Sequence, residues 1–127
     1  MISIQSIDHL VLTVQNIQTS CHFYKTVLAI DSVEFKPGRY ALCFGQQKIN
    51  LHQASHEFTP HAKHPTPGAT DLCFLTKNTI QDIVNHLSIH DIEIEEGPVE
   101  RTGAQGAIMS VYLRDPDGNL LELSTLI

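Results

Sequence analysis

The sequence predicts an α+β fold made of two βαβββ modules, and three observations predict it. The first half of the chain recurs in the second. Ser6-Ile7-Asp8-His9-Leu10-Val11-Leu12-Thr13-Val14, a helical stretch, and strands ending in Lys48-Ile49-Asn50-Leu51-His52 are answered by Ala69-Thr70-Asp71-Leu72-Cys73-Phe74-Leu75-Thr76, a second helical stretch, and strands ending in Asn119-Leu120-Leu121-Glu122-Leu123. Short β-rich runs stand between clear turn signals, whereas the two helical stretches carry apolar residues at helical spacing. Overlaid, the copies match His9 with Asp71 and Asn50 with Glu122, so candidate metal ligands recur at the same places. Half-sites on two similar modules point to one site built from both.

His9 to Val14 is β-rich and almost continuously apolar, as expected of a strand covered on both faces. Asn16 is a plausible N-cap for a helix through Leu28. Ile17, Phe23, Tyr24, Val27 and Leu28 make its apolar stripe, with Ser20 and Lys25 turned to water. Strands follow around Ser32–Phe35, Tyr40–Phe44 and Lys48–His52, separated by Pro37-Gly38 and Gly45-Gln46. In the second copy a strand at Thr70–Thr76 leads to a helix from about Thr79 to Ile89. Asn78 or Thr79 caps it, and Ile80, Ile83, Val84 and Leu87 form its buried face. Three strands are expected near Glu93–Glu95, Ile108–Leu113 and Leu120–Ser124. Asp115-Pro116-Asp117-Gly118-Asn119 makes the last turn, because proline pre-sets φ and glycine permits positive φ. The modules span about residues 4–53 and 68–127 of one domain. The segment 54–67, with His56, His61, His64 and three prolines, reads as a linker. A second loop, Gly97 to Ala107, contains Arg101 and is placed to cover a site.

At 127 residues the chain can bury a core without disulfides. No apolar run approaches the roughly 20 residues that span a bilayer, and the N-terminus lacks the basic and apolar segments of a signal peptide. A net charge of −6, with only 8 Lys and Arg, argues against a nucleic-acid surface. Three cysteines without an export signal read as reduced thiols and a cytoplasmic location. Cys43 and Cys73 are expected to be small buried hydrophobes; Cys21 lies on the first helix.

The duller readings of the site residues are specific. A histidine inside an apolar strand is usually a hydrogen-bonded core residue. Glu122 among leucines needs a partner or a solvent-facing edge strand, since an unpaired buried carboxylate is costly. The repeat tips the balance toward one polar site. His52, two residues past Asn50 on the same face of its strand, joins the candidates. His22, His86 and His90 lie on helices and read as surface residues.

These residues resemble the vicinal-oxygen-chelate superfamily (the glyoxalase/bleomycin resistance/dihydroxybiphenyl dioxygenase-like fold). The matching signatures are Ile7-Asp8-His9-Leu10-Val11-Leu12, Phe23-Tyr24-Lys25-Thr26-Val27-Leu28 and Tyr112-Leu113-Arg114-Asp115-Pro116-Asp117-Gly118-Asn119-Leu120-Leu121-Glu122. Ala41-Leu42-Cys43-Phe44-Gly45, Lys48-Ile49-Asn50-Leu51-His52, Ile94-Glu95-Glu96-Gly97-Pro98-Val99 and Arg101-Thr102-Gly103-Ala104 are similar to the glyoxalase domain-containing protein 5 family and its bacterial relatives, some of them labelled virulence proteins. The resemblance implies that the modules' curved mixed sheets form a cup with a divalent metal at its floor, held by residues from the first and last strand of each module. His9 and Glu122 fall on ligand positions. Asn50 and Asp71 depart from the glyoxalase I pattern, which has a carboxylate and a histidine there. His52 supplies the missing imidazole if the strand register permits, and Asp71 either binds the metal or supports a ligating imidazole from behind.

The implied function is that of a metal-dependent small-molecule enzyme. Its chemistry is of the glyoxalase I-like (lactoylglutathione lyase-related) type, a lyase or isomerase, or of the dioxygenase type. Glu122 doubles as catalytic base, while Arg101, Asn50 and Tyr112 contact the substrate. The alternative is a drug- or metabolite-sequestering protein of the bleomycin-resistance type. A mixed nitrogen and oxygen donor set suits Zn²⁺, Ni²⁺, Mn²⁺ or Fe²⁺. The expected partners are a small-molecule substrate and a second copy in a homodimer, with neither nucleic acid nor membrane.

Overall fold

The computed structural model describes residues 1–127, and the local signals noted above become elements in the expected order. The chain divides into two compact units, Met1–Pro67 and Gly68–Ile127. The first contains β1 (His9–Val14), α1 (Ile17–Leu28), β2 (Asp31–Lys36), β3 (Arg39–Phe44) and β4 (Gln47–Gln53). The second contains β5 (Asp71–Leu75), α2 (Ile80–Ile89), β6 (Glu96–Thr102), β7 (Ala107–Arg114) and β8 (Leu120–Leu126). Each unit is therefore βαβββ, and the chain is α+β. No helix is long and apolar enough to cross a membrane.

The caps are where the sequence places them. The Asn16 side chain accepts a hydrogen bond from the Thr19 amide at 2.9 Å, satisfying one of the free N–H groups that open α1. Thr79 and Asp82 form a reciprocal capping box at the start of α2. Helix α1 ends on Ala29 in the left-handed conformation, φ 55°, with its amide bonded back to Lys25 and Tyr24 carbonyls. On the helices one side-chain expectation fails. Ser20 is buried at 1% exposure rather than turned to water. It precedes Tyr24 by four residues and Val27 by seven, so it falls inside the stripe that faces the sheet, and a small hydroxyl there lets the helix approach closely.

Each sheet is mixed, with its first and last strands paired in parallel: β1-β4-β3-β2 in the first unit and β5-β8-β7-β6 in the second. Alternation then sorts the side chains. On one face Leu12, Val14, Leu42, Ile49 and Leu51 are buried with Tyr24 and Val27 of α1. The equivalent face of the second unit buries Val111, Leu113 and Leu121 with Ile83 and Leu87 of α2. The opposite, open faces carry the polar residues.

The second strand of the second module is displaced from its expected position. It runs Glu96–Thr102, so most of the expected loop 97–107 is a strand and Arg101 sits on it. Gly97-Pro98 reads as a breaker, yet β6 is an edge strand, where a missing N–H costs no ladder bond. The pairing with β7 shifts register between Glu96 and Val99 to absorb the pair. Gly97 is required there: its φ is +108°, and a Cβ would lie 2.5 Å from the Ser110 carbonyl oxygen.

The 115–119 turn locks β8 to its neighbour. Asp115 accepts from the Asp117 and Asn119 amides through one oxygen and from the Asn119 side-chain amide, at 2.8 Å, through the other. The Asn119 side-chain oxygen, Oδ1, in turn accepts from the Thr70 amide at 2.9 Å, just before β5. Asn119→Ala removes the side-chain hydrogen bond to buried Asp115 and the side-chain acceptor of the Thr70 amide, and chemical denaturation should show a loss of about 2–4 kcal/mol. Ala29→Gly relieves the left-handed strain at the end of α1, and the same measurement should show a gain of about 0.5–1 kcal/mol.

Candidate functional site

The open faces repeat in register. In the first unit Val11 pairs with Asn50 and Thr13 with His52. In the second Cys73 pairs with Glu122 and Leu75 with Ser124. Asn50 and Glu122 thus occupy equivalent places on interior strands, as the overlay of the two copies predicts. His9 precedes Val11 by two residues and Asp71 precedes Cys73 by two. Each first-strand residue is therefore offset by one pair, about 7 Å along the strand, from the last-strand residue it accompanies.

In the first unit His9 is not a core residue: its side chain is 44% exposed and its Nδ1 lies 2.8 Å from Asp8 Oδ1. A carboxylate at Nδ1 holds that nitrogen as the N–H and leaves Nε2 as a free electron pair. Lys48, not His52, is the register partner of His9. His52 lies two pairs further along, about 13 Å from His9 in the strand direction. Those two imidazoles do not meet on one ion within the unit. His52 is 5% exposed, and its Nδ1 and the Asn50 Oδ1 are buried without hydrogen-bond partners.

In the second unit Glu122 Oε2 accepts a 2.6 Å hydrogen bond from Ser110, whose hydroxyl also lies 2.6 Å from that of Ser124. Ser124 continues to the Cys73 thiol at 3.2 Å. Cys73, like Cys43, is exposed on the open face rather than buried. Both fall on the outward phase of their strands, which the apolar neighbours mask in the sequence. Partial burial pushes the Cys73 thiol up; the Ser124 hydroxyl opposes this, and the Glu122 and Asp71 carboxylates add to it, so the sulfur stays protonated. Tyr112 is the β7 partner of Glu122. Its hydroxyl accepts from Arg101 Nε at 3.1 Å, and Arg101 is paired with Glu96 at 2.7 Å.

Within neither unit do three His, Cys, Asp or Glu side chains gather as an ion site. The first unit offers one oriented imidazole (His9) and one unpartnered amide oxygen (Asn50), and the second unit offers two carboxylates (Asp71, Glu122). Such nitrogen and oxygen donors, with a buried acceptor left unsatisfied, fit a divalent transition ion. The sequence reasoning missed Arg39, Lys48, Phe35 and Phe58. Strand alternation places Arg39 and Lys48 on the face of Asn50 and His52; nothing in the sequence marks Phe58, which is drawn from the linker to within 5.6 Å of the His52 ring. The linker histidines His56, His61 and His64 are exposed.

Residues 6–123 match the model of the glyoxalase/bleomycin resistance protein/dioxygenase superfamily, and the chain belongs to that superfamily. It is 57% identical over 124 residues to the virulence protein STM3117 of Salmonella typhimurium, covering 98% of this chain and 86% of that protein. The crystal structure of STM3117 superposes with a TM-score of 0.97 at 56% identity, over 99% of this chain and 100% of that one. The glyoxalase domain-containing protein RDO1 of Mycosarcoma maydis is 52% identical over 124 residues, covering 98% of this chain and 70% of that protein. A lactoylglutathione lyase from Agrobacterium tumefaciens shares the fold, with a TM-score of 0.74 at 22% identity over 97% of this chain and 95% of that one.

Burial pushes the His52 imidazole below its ordinary 6.5; the Arg39 guanidinium lowers it further, Glu57 opposes, and His61 adds to the lowering. Below pH 6.5 the unfolded chain takes up a proton that folded His52 refuses. Stability therefore falls as the pH drops from 6.5 and levels off beneath the folded value. In His52→Gln the same denaturation series, run from about pH 7.5 down to about pH 5, should lose that component and show a shallower decline.

Proposed function

We propose that this chain is a metal-dependent small-molecule enzyme of the glyoxalase I-like type, with His9 and Glu122 as metal ligands. The observation that carries the reading is that both donors are held in place before any ion arrives. Asp8 fixes the His9 tautomer, and Ser110 fixes one oxygen of Glu122. Asp71 is the further oxygen donor, and the set suits Zn²⁺, Ni²⁺, Mn²⁺ or Fe²⁺. When bound, the ion would polarise two neighbouring oxygens of the substrate and stabilise the negative charge that develops on them.

The remaining chemistry belongs to the protein. Ser110 occupies Oε2 of Glu122, which leaves Oε1 to take a proton from substrate as general base. Tyr112 accepts from Arg101, so its own O–H points its proton elsewhere, toward a substrate oxygen. Arg101 is tied to Glu96 and acts chiefly by orienting Tyr112 rather than as an anion clamp. A two-histidine, one-carboxylate set for Fe²⁺ and oxygen chemistry would need His52 beside His9, and the register offset of about 13 Å disfavours it against lyase or isomerase chemistry. The reading includes a homodimer, for which exposed apolar residues on the open faces, Val11 at 44% and Leu75 at 57%, are available to be covered.

The second reading, a sequestering protein of the bleomycin-resistance type, has one observation in its favour: Phe35 and Phe58 offer rings on the open face of the first unit.

Elemental analysis of tag-free protein separates the two. We expect about one metal ion per chain, lost in His9→Ala and in Glu122→Ala. It should be retained in His86→Ala, which removes the neighbouring imidazole pair of His86 and His90 on α2, whose rings lie 4.6 Å apart. A wild type that takes up none of the four ions leaves the sequestering reading.

A further inference from the structure

The first unit places two cations on its open face with no carboxylate to neutralise them. Of the chain's eight Lys and Arg, Lys25, Arg101 and Arg114 are ion-paired with Asp31, Glu96 and Glu95. Of the five without an ion pair, Lys36, Arg39, Lys48, Lys63 and Lys77, it is Arg39 and Lys48 that stand over aromatic rings instead. Arg39 Cζ lies 4.1 Å from the Phe58 ring centre and 5.7 Å from that of Phe35, and Lys48 Nζ lies 4.2 Å from Phe35. Phe35 therefore braces both.

A ring attracts a cation through its face but accepts none of the hydrogen bonds that a guanidinium donates in its own plane. The Arg39 fork and the Lys48 ammonium are held in position with their donors unspent. The same face carries the buried, unpartnered Nδ1 of His52 and the half-buried Asn50 amide, whose unpartnered Oδ1 end exchanges with its NH₂ end by a flip. Glu57, in the linker, is the carboxylate whose field reaches His52, and it makes no ion pair with either cation. On a chain of net charge −6, two unpaired cations with unsatisfied polar groups beside them are a local reversal of sign.

We propose that this face is an oxyanion subsite, in which Arg39 and Lys48, braced on Phe35 and Phe58 and completed by His52 and Asn50, bind a carboxylate or phosphate group of the substrate. Arg39 takes the oxyanion through two parallel N–H bonds and Lys48 through its point charge. Lys48 is the register partner of His9, so the group bound here belongs to the same molecule whose oxygens approach His9. The inference rests on the enzyme reading above and narrows its substrate to an anion.

The test is a two-dimensional NMR titration of chelator-treated, metal-free protein with inorganic phosphate and, separately, with acetate. Saturable shifts centred on β3 and β4 are expected in wild type. Arg39→Gln and Lys48→Gln should each weaken binding at least about tenfold, and Arg114→Gln should leave it unchanged. Tighter binding of phosphate or of acetate names the oxyanion. No saturation with either anion overturns the subsite, as does undiminished binding in both glutamine variants or equal weakening in Arg114→Gln. Because metal is absent throughout, a negative titration leaves the metal analysis standing, and a metal-free result there leaves this titration standing.

Discussion

Each unit depends on the parallel pairing of its first strand with its last. Parallel neighbours cannot be joined by a tight turn, so a helix and two further strands must be completed before the last strand returns to the first. That return makes β4 and β8 interior strands, flanked by a parallel neighbour on one side and an antiparallel one on the other. A polar residue on an interior strand has neighbours on both sides, which is how Glu122 acquires Tyr112 and Ser110 from β7 and Cys73 from β5. The same pairing sets the offsets between His9 and Asn50 and between Asp71 and Glu122. A shift of one residue in β8 would turn Glu122 into the helix-facing core. Asp115 and Asn119 guard against that shift by tying the β8 entry to the start of β5.

The two open faces satisfy their polar groups differently. In the second unit a chain of hydroxyls, Ser110 and Ser124, connects Glu122 to Cys73, and Arg101 is shared between Tyr112 and Glu96. In the first unit His52 Nδ1 and Asn50 Oδ1 are buried without partners, and Arg39 and Lys48 rest on rings. Buried polar atoms without partners cost stability and are uncommon in folded proteins. Both atoms lie on the open face of the first unit.

Most of the fold was legible because its signals are local. The caps at Asn16 and Thr79, the 115–119 turn and the repeat itself are written in contiguous residues. The miss at β6 has a physical reason: Gly97-Pro98 forbids a central strand and is compatible with an edge, and edge or centre is a property of the sheet. Ser20 was misplaced for a similar reason, since a hydroxyl within the helix stripe is chosen by closeness of approach rather than by hydrophobicity. The equivalence of His9 with Asp71 and of Asn50 with Glu122 was legible from the repeat. The separation of His52 from His9 was not, because register is decided between strands some forty residues apart.

The sequence by itself determined the two βαβββ modules, the order of their elements, the helix ends, and the equivalence of Asn50 with Glu122 and His9 with Asp71. These follow from periodicity and capping, which act over a few residues. Only the tertiary structure decided which strand is an edge, that Cys43 and Cys73 face outward, that Lys48 rather than His52 stands beside His9, and that Phe58 leaves the linker to meet Arg39. Each of those depends on which backbone lies next to which. Hydrogen-bond pairing between distant strands settles that, and no local propensity encodes it.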